Sequence, residues 1–61
     1  MSESLNRAER YQKLANECTQ LAMNATSTTI RHHYEYIAEQ YLLLAKGELS
    51  LAAAQANLAK E

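Results

Sequence analysis

The sequence predicts an all-α fold: an antiparallel helical hairpin that pairs with a second copy into a dimeric four-helix bundle. Three observations lead there. The composition is weighted toward helix formers, with eleven Ala, nine Leu and seven Glu, no Pro, Val, Asp, Phe or Trp, and one Gly. Ala and Leu lose little on entering a helix, and the usual strand and turn signals are missing. Two long segments carry apolar or small residues at steps of three and four, separated by four consecutive hydroxyl residues, Thr26 to Thr29. The apolar side chains also outnumber those that one pair of helices can cover.

The first helix is predicted over residues 3–24. Ser2 or Ser4 can cap the free amides of its first turn. Ala8, Tyr11, Ala15, Cys18, Ala22 and Ala25 follow at steps of 3, 4, 3, 4 and 3, the spacing of one helical face. Leu14 and Leu21 lie beside that row. Arg10, Gln12, Lys13, Asn16, Thr19 and Gln20 fill the other side.

Residues 25–27 form the predicted turn. Hydroxyl side chains compete with helix-interior hydrogen bonds, and Ser27 is the expected N-cap of the second helix. That helix is predicted over residues 28–60. One row reads Ile30, Tyr34, Ile37, Tyr41, Leu44 and continues through Glu48, Leu51, Gln55 and Leu58. A neighbouring row reads Ala38, Leu42, Ala45, Leu49, Ala52, Ala56. A repeat of this kind suits helices packed side by side at a shallow angle. Lys46-Gly47 admits an alternative, a stop followed by a third helix over 48–60. Both rows keep register through Gly47, which favours a continuous helix.

A turn centred on Thr26 sets Ala22 opposite Ile30, Cys18 opposite Tyr34, Ala15 opposite Ile37, Tyr11 opposite Tyr41 and Ala8 opposite Leu44. Apart from the tyrosine pair, small residues then face large ones, a pattern that fills a core. The second helix overhangs the first. Leu14, Leu21, Leu42 and Leu49 lie beside the seam, and Leu51 and Leu58 lie on the overhang. These six are the predicted dimer interface. A chain of 61 residues with one cysteine has no internal disulfide to reinforce so small a core, which also points to self-association.

The charge balance, six Lys/Arg against seven acidic residues, gives little field for nucleic acid or an anionic membrane. Arg7, Arg10 and Lys13 form a small basic run, and a regulator binding RNA or DNA through them is the alternative functional reading. Glu9, Glu17, Glu35 and Glu39 dilute that run. No apolar run follows the charges of the N-terminal residues. The longest apolar stretch, Tyr41 to Ala45, is far below the ~20 residues of a membrane span. The expected location is the cytoplasm.

Candidate chemistry is sparse. His32, Glu35 and Glu39 share a helix face and are residue types that bind metals. Carboxylate-bridged bundles, however, use Glu-x-x-His on two helices, and here the order is reversed and occurs once. Cys18 with His33 has no third group to orient the histidine and no loop for an oxyanion hole. The expectation is a non-enzymatic chain without metal or cofactor, working as a homodimer that binds another, unidentified protein. Tyr36 falls off both rows and is expected to be exposed.

Residues 11–22, YQKLANECTQLA, resemble the Y-R-x-L-A-x-E-C-x-x-L-A segment of short uncharacterised helical-hairpin proteins of rhizobia and related alphaproteobacteria. Arg31, Ile37-Ala38, Tyr41 and Leu44-Ala45 match the second half of that pattern. Ser27-Thr28 stands where the family has Asp-Pro, one cap for another, and Tyr34 where it has Leu. The resemblance covers about residues 11–46. It implies a helical hairpin in a bacterial cytoplasm and brings no catalytic residue, cofactor or activity.

Overall fold

A computed structural model describes residues 2–59 of the chain. The expected extension of the second helix to Lys60 lies outside them. Helix α1 spans Glu3–Asn24 and helix α2 spans Thr28–Ala59. The two pack against each other as an antiparallel hairpin about 53 Å long.

Local chemistry accounts for each helix end. The Ser2 hydroxyl accepts a hydrogen bond from the Leu5 amide at 3.4 Å, and the Ser2 carbonyl accepts from Asn6 at 3.2 Å. Ser27 does the same for α2: its hydroxyl accepts from the Ile30 amide at 3.4 Å and its carbonyl from Arg31 at 2.9 Å. These bonds satisfy amides that a helix N-terminus leaves without partners. At the end of α1 the chain leaves helical geometry at Ala25, whose amide still donates to the Ala22 carbonyl at 3.2 Å. Ser4 is no cap. It is buried in the seam.

Helix α2 runs through Gly47 without interruption. Gly47 has no positive φ, and a Cβ placed on it would meet nothing within 4 Å. The overhang follows from where α1 starts. The first turns of α1 meet α2 at Glu48, through Arg7, and Ala52 is still half-buried, so α2 projects beyond its neighbour from about Ala53 onward.

The seam is lined with alanine. Among the described residues, Ala8, Ala15 and Ala22 of α1 and Ala38 and Ala45 of α2 are the buried apolar ones, and no large side chain is fully buried. Tyr11, Cys18, Tyr34, Ile37 and Tyr41 are half-buried among them. Tyr11 and Tyr41 meet as expected, their rings stacked with centroids 6.2 Å apart and planes inclined by 24°.

Two residues of the expected core row stand elsewhere. Ile30 and Leu44 are about half exposed, at 50% and 49%. Ala38 and Ala45, from the neighbouring row, take the inward positions instead. Small residues therefore face small ones along the axis, and the small-against-large pattern does not hold there. The physical reason lies in the line of closest approach. Interaxial distance depends on the side chains at the contact, and alanine at every seventh position of both helices permits a short one. A branched side chain has no room on that line and moves to the rim. Tyr36 is 61% exposed, as its place off both rows requires.

Candidate interaction surface

Successive residues of an α-helix point about 100° apart, so the alanine seam divides the remaining side chains between two broad faces. The first face carries Leu14 and Leu21 of α1 and Ile30, Ile37, Leu44, Leu51 and Leu58 of α2. The five α2 residues recur at every seventh position. Leu14, Leu21, Leu44, Leu51 and Leu58 are all more than one third exposed, from 37% at Leu14 to 72% at Leu58. The second face is mixed. An open groove of about 280 Å³ runs along it, lined by Thr19, Ala22 and Met23 of α1 and by Arg31, Glu35, Ala38, Glu39 and Leu42 of α2. Leu49, seven residues beyond Leu42, continues that side.

The six leucines predicted as an interface are thus all exposed but do not form one patch. Leu14, Leu21, Leu51 and Leu58 share the first face, where Ile30 and Leu44 join them. Leu42 and Leu49 lie on the second, with Met23. Sequence reasoning placed Ile30 and Leu44 inside the hairpin and so missed them as surface. Their seven-residue spacing with Leu51 and Leu58 was the available signal.

The three basic candidates are also separated. Arg7 is held at the seam. Its Nε donates to Glu48 Oε1 at 3.0 Å, its Nη2 to the Ser4 hydroxyl at 3.4 Å, and its Nη1 lies 3.6 Å from Glu3 Oε2. The hydrogen bond to Arg7 holds the Glu48 carboxyl below the usual carboxylate range, against the opposing effect of burial. The same bond raises the Arg7 guanidinium. Glu48's other oxygen, Oε2, is buried without a hydrogen-bond partner among the described residues. Arg10 and Lys13 are exposed. Arg7 is thereby committed to tying the start of α1 to α2. The signal for this cluster was Glu48 itself, a charge set in an apolar row.

His32 and His33 are exposed, and His33 lies against its neighbour Tyr34 with ring centroids 5.9 Å apart. No group of three His, Cys, Asp or Glu able to hold a metal occurs among the described residues. Cys18 is a free, half-buried thiol in the seam, where a cysteine packs as a small hydrophobe. None of the described helices is long and apolar enough to cross a membrane.

No family model, curated protein or solved structure matches this chain. The fold and its surface define a class: a two-helix hairpin with an alanine seam and one uncovered aliphatic face.

Proposed function

We propose that this chain works as a homodimeric interaction module, two hairpins joined into a four-helix bundle whose role is to bind another protein and involves no catalytic step. One observation carries the reading: the side chains able to supply the most hydrophobic stabilisation are outside the hairpin. Among the described residues, five alanines form its buried apolar core, while twelve larger hydrophobic residues are 37–72% exposed. Fully burying a leucine or isoleucine contributes about 1.5–3 kcal/mol, so covering the remaining half of one gains about 1 kcal/mol. Six such residues on one face, counted twice in a symmetric pair, offset the cost of association estimated at about 4–15 kcal/mol. A core of small residues in a chain this short supplies too little on its own.

A second copy suits the first face better than the groove face. The α2 row of the first is aliphatic along its length, and the second interleaves Arg31, Glu35 and Glu39 with its apolar residues. Once the first face is covered, Leu42, Leu49 and Met23 remain on the outside of the bundle, where they offer a protein partner apolar contact edged by charge.

Sedimentation equilibrium of the purified chain and two variants tests the reading. The wild-type mass is twice the monomer's. Leu44→Glu is expected to lower it to that of the monomer, and Leu42→Glu to leave the dimer intact. A monomeric wild type at high micromolar concentration, or a dimer that Leu42→Glu dissociates and Leu44→Glu does not, would overturn it.

A further inference from the structure

We infer that the second copy docks with its α2 antiparallel to α2 of the first, the two-fold axis passing near Leu44, so that each overhang covers the turn end of the other hairpin. The inference rests on the homodimer proposed above and specifies its face and direction.

The first observation is the symmetry of the apolar row. Ile30, Ile37, Leu44, Leu51 and Leu58 extend two repeats on each side of Leu44. An antiparallel pairing about that residue sets Ile37 beside Leu51 of the second copy and Ile30 beside its Leu58. Every aliphatic side chain of the row then meets another. An isologous interface needs this self-complementarity.

The second is the overhang. From about Ala53, α2 has no neighbour in its own hairpin, and residues 53–58 are all exposed. At the other end, Leu21 and Ile30 flank the turn and are half exposed, at 48% and 50%. Antiparallel docking brings these two uncovered regions to the same level, making each end of the dimer a three-helix layer.

The third is Gly47. A glycine inside a helix is destabilising relative to alanine. Within the hairpin nothing calls for one, since a Cβ there would touch nothing within 4 Å. One turn from Leu44 and on the border of the aliphatic face, its missing side chain leaves space for Leu44 of the second copy.

A spin label at exposed Asn57, introduced as Asn57→Cys in a Cys18→Ser background, reads the arrangement directly. Antiparallel docking about Leu44 separates the two labels by about 35–40 Å, from the 1.5 Å rise over the intervening residues on both helices. Docking with the overhangs together brings them within about 25 Å, given interaxial spacings of about 8–10 Å. The expected result is the longer distance, with a dimeric mass for the labelled protein. A distance under about 25 Å at dimeric mass would overturn the antiparallel placement and leave the dimer standing. A monomeric mass with no dipolar coupling would overturn the dimer itself.

Gly47→Ala supplies an independent readout. It favours the helix of an isolated chain, yet here it is expected to raise the dimer dissociation constant at least tenfold. Unchanged or tighter association would contradict the close approach at Gly47.

Discussion

Ala15 shows most plainly how a single residue sets this structure. It is 1% exposed, at the middle of α1's contact line. Replacing it with leucine forces a larger side chain between two helices held close, and overpacking of that kind costs about 1–3 kcal/mol. Ala15→Leu is expected to lower the urea midpoint, and Asn16→Leu, one position away on the exposed surface, is not. Equal effects at the two positions would mean that the alanines do not set the spacing. Glu48 carries a second prediction. Arg7 depresses its folded-state pKa, so its contribution is complete above the ordinary glutamate value of about 4.3 and disappears as pH falls through the lower folded value. Glu48→Gln is expected to reduce stability at pH 7 and to flatten its decline between about pH 5 and pH 2, followed by urea titration at each pH. The sequence marked Glu48 as a charge in an apolar row and Arg7 as one of a basic run. It did not join them, because the pairing depends on where α1 begins relative to α2.

Within the elements, the caps are the parts most directly determined by local chemistry. Ser2 and Ser27 each accept a hydrogen bond from the amide three residues on. Ser27→Ala is expected to cost about 0.5–2 kcal/mol, measurable by thermal melting, with Thr26→Ala nearly neutral by comparison. These caps were legible because they are local. The hairpin register was legible too, because an antiparallel turn at a known residue leaves one alignment, and the Tyr11–Tyr41 stack is where it comes closest to direct observation. Which α2 row faces inward was not legible. The rows around Ile37 and Ala38 lie next to each other on the helix, and both have the right period. Hydrophobicity favours the row with Ile30 and Leu44. Steric closeness to an alanine-lined partner favours Ala38 and Ala45, and that term is visible only when the two helices are considered together. The choice of row then decides which residues are surface.

The molecule as a whole places its larger aliphatic groups where a lone hairpin leaves them in water. That arrangement is stable if a second copy covers them, and the proposed bundle does so along α2's full length. Truncation after Ser50 removes Leu51 and Leu58 while keeping the Arg7–Glu48 pair, and in the antiparallel dimer it removes the cover over Ile30 and Leu21 as well. Light scattering is expected to show a monomer for the truncated chain at concentrations where the full chain is dimeric. Whether this hairpin is stable only as part of an assembly is read from thermal unfolding, followed by circular dichroism across a hundredfold range of protein concentration. Folding coupled to dimerisation predicts a midpoint that rises steadily with concentration. A sharp transition at one temperature across the whole range, with a monomeric mass throughout, would contradict it.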